Sequence, residues 1–197
     1  MAATTTKKSK TIKKTTAKAP AKKRTKKRYV DGNLEFKTKS LLDYHLELKG
    51  HLEEGLIESF EVPTVDKMEK TGRYKTFKIT INGHKFDSMA ESKYYIHLLQ
   101  EKKSGNVIDL ELQPRYELHP SFKKIDKATG KKKTIRKTEY VADFLVTDKN
   151  NETTIYDVKG TLTEVFRLKR KWFDVKYPDL TLVCVKLDDK SNSWVTV

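Results

Sequence analysis

Apolar positions along this chain recur with two periods, and the period changes from segment to segment. In residues 38–54, Leu41, Leu42, Leu46, Leu48 and Leu52 fall at helical spacing, and Gly55 follows as a stop. Residues 56–63 then read as a strand. Residues 74–81 alternate Phe77, Ile79 and Ile81 with polar partners, the pattern of a half-buried strand. Residues 88–103 return to the helical period, with Ala90, Tyr94 and Leu98 on one side and Tyr95 and Leu99 beside it. Ser88 with Glu91 three positions on forms a capping box at its start. Gly105 closes this helix, and residues 107–113 resume the strand pattern.

The two helix–strand stretches read as copies. At an offset of fifty, Phe36, Tyr44, Leu48, Gly55 and Glu61 recur as Phe86, Tyr94, Leu98, Gly105 and Glu111, and Ile57/Val107 and Phe60/Leu110 are similar pairs. Convergent helix–strand patterning produces the same order. Leu41 stands where the second copy has Glu91, so a true duplication has lost in its first copy whatever Glu91 does.

After Pro114 strands follow one another. Residues 115–122 form one, and residues 123–137 are a basic stretch with eight Lys/Arg and one acid around Ala128-Thr129-Gly130. Residues 138–147 and 153–159 are two more strands about the polar turn at 148–152. Gly160 ends that hairpin, and Thr161 or Thr163 caps a helix that runs to about Tyr177, where Pro178 stops it. Residues 180–187 are an almost unbroken apolar strand of the kind buried on both faces, and Trp194 with Val195 marks a short final edge strand. This order predicts an α/β fold, a mixed sheet flanked by helices.

Charge divides the chain unevenly. Of 42 Lys/Arg against 27 Asp/Glu in 197 residues, residues 1–28 hold twelve basic residues and no acid. That stretch is Lys, Thr and Ala with almost nothing to bury, so it is expected to be disordered. It ends in Lys22, Lys23, Arg24, Lys26, Lys27 and Arg28, a mobile positive charge suited to phosphates. It also serves equally as a solubilising tail or a nuclear address, and it lacks the apolar core of a secretory signal. No apolar run approaches the ~18 residues of a membrane span. The lone Cys184 forms no internal disulfide and no zinc cluster, so a reducing, cytoplasmic setting is expected.

The hairpin of residues 138–159 carries candidate chemistry. Antiparallel pairing about a turn centred near Asn150 sets Asp143 opposite Asp157, with Lys159 on the same sheet face as Asp157. Two carboxylates facing each other among Val141, Phe144, Val146, Ile155 and Val158 require compensation by a cation or by Lys159. Mg²⁺ suits that donor set, with the Val158 carbonyl as a further ligand, and Lys159 would orient or deprotonate the nucleophile and stabilise charge on a scissile phosphate.

At these residues the chain resembles the PD-(D/E)XK nuclease superfamily. Val141-Ala142-Asp143-Phe144 matches the first half-motif, Asp157-Val158-Lys159 the second, and Glu91 the acid of the preceding helix. The likeness covers about residues 81–187 and is closest to small phage and prophage endonuclease-like proteins compared with Holliday-junction resolvases. Those proteins carry a helix Glu, a strand like Leu110-Glu111-Leu112-Gln113-Pro114-Arg115 and an Asp-Val-Lys-Gly turn. Ala142 replaces the motif Pro, and Asp157 stands where Glu is more common. The resemblance implies a restriction-endonuclease-like α/β core over 81–197, preceded by a 29–80 extension and the 1–28 tail. It implies Glu91, Asp143 and Asp157 as holders of Mg²⁺, with Mn²⁺ substituting, and Gln113 near the active site.

The expected activity is metal-dependent cleavage of DNA. A water activated near Lys159 attacks phosphorus in line and leaves 5′-phosphate and 3′-hydroxyl ends. The expected substrate, by resemblance, is branched or double-stranded DNA cut by a homodimer, with no small-molecule cofactor and no membrane. Lys131, Lys132, Lys133 and Arg136 of the basic hairpin, and Arg167, Lys169 and Arg170 of the last helix, are expected to meet phosphates without reading sequence. Each has a plainer reading: Glu91 as the capping-box partner of Ser88, Gln113 as a strand-end polar residue, the helix cations as a solvated face. The alternative function is a non-catalytic nucleic-acid-binding protein with an inert nuclease fold, and RNA or simple duplex ends are further candidate substrates. His45, His51, His84, His97 and His119 show no paired metal spacing, and no Ser-His-Asp order, phosphate loop or dinucleotide fingerprint occurs.

Overall fold

The computed structural model describes residues 28–65, 78–188 and 190–197. The expected disordered tail therefore lies outside the described residues except for Arg28, as does the 74–77 part of the strand placed at 74–81. The described chain is mixed α/β, with three α-helices and several antiparallel and mixed sheets.

It opens with two units of the same build. The first is a hairpin of β1 (Tyr29–Asp31) and β2 (Leu34–Phe36), helix α1 (Lys39–Glu53) and a short strand β3 (Phe60–Glu61). The second is a hairpin of β4 (Ile79–Ile81) and β5 (His84–Phe86), then helix α2 (Met89–Lys103). Every hairpin and helix boundary recurs at the offset of fifty, and so do the local devices. Thr38 and Ser88 cap their helices through side chains that accept from Leu41 and Glu91 N–H. Gly55 and Gly105 adopt φ of 68° and 78° just past the helix ends, a left-handed turn that glycine makes without a Cβ penalty. The hairpins themselves escape the helix–strand pattern. Asn82-Gly83, with φ of 51° and 77°, is the tight-turn dipeptide that marks the second one.

The units interlock. β3 pairs with β4, so the strand that follows the first helix completes the second hairpin, in the order β3-β4-β5. The Asn82 side chain accepts from Glu58 N–H at 2.8 Å and fixes this join. Only Phe60 and Glu61 of residues 56–63 form a strand. Phe36, Tyr44 and Leu48 of the first unit and Phe86, Tyr94 and Leu98 of the second share one core.

The main sheet runs β14-β13-β12-β11-β6, from β6 (Val107–Leu112), β11 (Phe144–Asp148), β12 (Thr153–Val158), β13 (Thr181–Asp188) and β14 (Ser193–Thr196). β12 and β13 are parallel and joined over helix α3 (Glu164–Lys176), which Thr163 caps. The other pairs are antiparallel. Alternation along the strands divides the two faces. Phe144, Val146, Val158 and Val185 join the core under α2, whereas Ile155, Leu182 and Cys184 pack with Phe166 and Phe173 of α3.

Two strands expected to be continuous are broken. In place of 115–122 stand β7 (Arg115–His119) and β8 (Phe122–Ile125), divided at Pro120, which has no N–H for the ladder. In place of 138–147 stand β10 (Thr138–Val141) and β11, divided at Ala142–Asp143. There the chain leaves its partner β7 and enters the main sheet. β9 (Lys132–Ile135) pairs with β8 across the turn at Ala128-Thr129-Gly130.

Candidate active site

Asp157 lies in β12, an interior strand, and is 0% exposed. An ionised carboxylate there requires partners. The Tyr140 hydroxyl of β10 donates to Asp157 Oδ2, and Lys159 Nζ lies 2.6 Å from Oδ1. The Lys159 ammonium also sits 5.7 Å from the Phe166 ring centre, which closes the site on the α3 side.

Asp143 occupies the break between β10 and β11. Ala142 N–H donates to Pro114 O at 3.1 Å, and Gln113 N–H to Asp143 O at 3.0 Å. Gln113 adopts φ of 52°, a left-handed conformation that lets the chain turn out of β6 beside Asp143. The Asp143 side chain turns across to β12, where Oδ2 accepts from Val158 N–H at 2.7 Å. The ladder register runs from Thr147 opposite Thr153 to Phe144 opposite Tyr156 and ends there, one position short of Asp143. The Asp157 carboxyl is near enough to act on Asp143.

The electrostatics follow from that arrangement. Burial, then the hydrogen bond and charge of Asp157, push Asp143 up to about 8, against the opposing pull of Val158 N–H and Lys159. Asp143 is therefore held well above the ordinary carboxylate range. Burial acts to lower the Lys159 ammonium, but Asp157, Asp143 and Glu91 outweigh it and hold the group above its ordinary value. Lys159 is thus a fixed cation at neutral pH, suited to stabilising negative charge and not to accepting a proton. The nearby Cys184 thiol is pushed up by burial first and by Asp157 second.

The sequence-predicted residues divide into three groups. Asp143, Asp157, Lys159 and the Val158 backbone come together, with Gln113 joined to them through its backbone. The Gln113 side chain instead reaches Lys85 O at 3.4 Å. Glu91 is near enough to act on Lys159 by charge, but its carboxylate is engaged at the start of α2. It accepts from Ser88 Oγ at 3.0 Å and from Asp87 N–H at 3.0 Å, which is the capping arrangement. Among the described residues no three His, Cys, Asp or Glu side chains converge.

Lys169 and Arg170, expected to face phosphates, turn inward. Lys169 Nζ donates to Glu139 O at 3.0 Å and Arg170 to Leu182 O at 3.3 Å, because their side of α3 packs on the sheet. Arg167 stays exposed with Nε 3.7 Å from Glu164. Lys131, Lys132, Lys133 and Arg136 are exposed, as is Arg28, whose Nε lies 3.8 Å from Glu35. Lys22, Lys23, Arg24, Lys26 and Lys27 lie outside the described residues.

Tyr140 is the site residue that the sequence reading missed. Its hydroxyl meets a carboxylate 17 positions away, and nothing in the local pattern of Thr138-Glu139-Tyr140-Val141 marks that contact.

The chain belongs to the family described as Protein of unknown function (DUF1064), whose model matches residues 71–191. That span takes in the second unit, four of the five strands of the main sheet (all but β14) and every residue of the Asp143–Asp157–Lys159 cluster, and excludes the first unit. Neither a curated protein nor a solved structure matches the chain.

Proposed function

We propose that this chain is a metal-dependent DNA endonuclease with a restriction-endonuclease-like core over residues 81–197. The observation that carries the reading is the placement of Asp143, Asp157 and Lys159 at one strand break: two neighbouring carboxyls and a fixed cation. Mg²⁺ or Mn²⁺ fits the donors, because oxygen ligands are what a hard cation takes and a cation would relieve the burial that pushes the Asp143 carboxyl up. Asp143, Asp157 and the Val158 carbonyl would hold it. When bound it would supply Lewis-acid polarisation of the phosphate and a more acidic water.

The chain's own groups then act as follows. Tyr140 holds Asp157 by its Oδ2 and fixes the carboxylate's orientation. Val158 N–H does the same for Asp143 Oδ2. Lys159, protonated, stabilises charge that develops on the phosphate oxygens. Glu91 contributes its charge from the helix start while capping α2. The exposed lysines of the β8–β9 hairpin hold the phosphate backbone. Branched DNA, cut by a homodimer in a reducing cytoplasm, is the substrate and setting that the superfamily resemblance favours.

A second reading is favoured by one observation. The engagement of Glu91 in its cap suits a nucleic-acid binder that does not cut. Cleavage of labelled four-way junction, linear duplex and single strand with Mg²⁺, Mn²⁺ or EDTA separates the two. Metal-dependent cuts by wild type that vanish in Asp143→Ala, with binding retained, are expected. Binding of all three substrates without cutting selects the binder, and cleavage retained by a clean Asp143→Ala preparation refutes the site.

A further inference from the structure

β8 and β9 continue the β7–β10 pair in the same register as His119 opposite Thr138, with Phe122 opposite Ile135 and Ile125 opposite Lys132. The two pairs form separate two-stranded sheets that follow one another as a ribbon interrupted at Pro120, with a register shift between Thr138 and Glu139. Its distal part buries nothing: all of β8 and the first three residues of β9 are exposed. An isolated two-stranded ribbon is marginally stable in water, and like charges directly opposite each other weaken it further.

The ribbon has two such pairs, and they differ. Glu117 stands opposite Glu139 near the foot, where Lys176 lies 3.4 Å from Glu117 and Lys137 lies 2.7 Å from Glu139. Lys124 stands opposite Lys133 in the distal part, and among the described residues no acid pairs with either. Asp126, the one acid of residues 122–137, folds back to accept from Ala128 and Thr129 N–H in the turn. Lys124 and Lys133 share a face with Phe122 and Ile135, so this face combines cations with apolar surface.

We propose that this ribbon is an arm that lies in the major groove of B-form duplex DNA on one side of the candidate active site. This rests on the nuclease reading of the residues at its foot, because β7 follows Gln113-Pro114 and β10 leads into Ala142-Asp143. A two-stranded ribbon fits the B-DNA major groove, whereas the A-form groove is too narrow for it. The exposed distal strand from Phe122 to Ile125 spans roughly 13 Å, well within one turn of duplex. The phosphates flanking the groove supply the anions that Lys124 and Lys133 lack in the chain itself.

The test measures binding of the full chain in EDTA, with Asp143→Asn as the background so that cleavage does not enter. Anisotropy titrations over a salt series use a labelled duplex of about 30 base pairs, roughly three turns, its single strand and the same sequence as double-stranded RNA. Adding Lys124→Ala and Lys133→Ala is expected to make the duplex DNA salt slope shallower by about 2, at ~0.9 for each phosphate no longer neutralised. The single strand and the RNA duplex are expected to show little change. Methylation at guanine N7 is expected to block binding within one turn on one side of the site. The folding control is circular dichroism, with an unfolding midpoint equal to or above that of the background. An unchanged duplex slope overturns the arm, and an equal loss on the single strand or on RNA overturns the groove. Wild type that binds in this way but never cuts leaves the arm standing and refutes the nuclease.

Discussion

Asp143→Asn is expected to stabilise the metal-free protein near neutral pH, although it removes a candidate catalytic group. Burial and the neighbouring Asp157 push Asp143 up to about 8 in the folded chain, against an ordinary value of 3.8. Between those values the folded state binds a proton that the unfolded state has released, so stability falls as pH rises across this window. The penalty is absent below pH 3.8, grows through the window and levels off above about 8. At pH 7 the gap of just over three pH units corresponds to at most about 4 kcal/mol, at 1.36 kcal/mol per unit. The interaction with the neighbouring carboxyl makes this an upper bound, and a gain of about 1–3 kcal/mol is expected. Asparagine keeps an oxygen to accept from Val158 N–H, so the backbone contact survives. Urea unfolding in EDTA, run from pH 4 to 8 on wild type and variant, measures the difference directly. It is expected to approach zero at pH 4 and to rise steadily toward pH 8. A variant that is less stable at neutral pH, or a difference that does not change with pH, would refute the upward displacement of Asp143.

Other outcomes follow from single contacts. Tyr140→Phe removes the hydroxyl that donates to Asp157 and is expected to cost about 1–3 kcal/mol by leaving a buried carboxylate oxygen short of a donor; equal unfolding midpoints would contradict the contact. Gly105→Ala places a Cβ at φ 78° with no steric obstruction nearby, so backbone strain alone is expected to cost about 1 kcal/mol in thermal unfolding, and Gly55→Ala the same. Leu41→Glu restores in the first unit the acid of the second, but Leu41 is 2% exposed, so a loss of several kcal/mol is expected. A soluble, stable Leu41→Glu chain would show that this position opens to solvent.

What could be read from the sequence was what depends on local period. The strand alternation and the turn at 148–152 give the β11–β12 register as far as Phe144 opposite Tyr156, beside Asp143, and Ser88 with Glu91 caps α2 as the spacing predicts. The offset of fifty is visible because each unit repeats its own caps and stops. The rest depends on which faces meet. Lys169 and Arg170 turn inward because α3 packs that side on the sheet, a fact that a helical period alone does not give. The break at Ala142–Asp143 arises because the chain changes partners there, and a run of alternating residues reads as one strand until the partners are known. The contact of Tyr140 with Asp157 exists only through that same exchange.

The interlocking of the two units has a consequence for how the family's shared region is delimited. The match begins at residue 71, after the first unit, yet β4 pairs with β3 of that unit and Tyr94 and Phe86 pack in one core with Tyr44 and Phe36. In this chain the boundary of likeness is therefore not a boundary of folding. A fragment cut at residue 71 would present β4 as an open edge and bare one side of the α2 core, so the first unit acts here as a structural lining for the part that carries the chemistry.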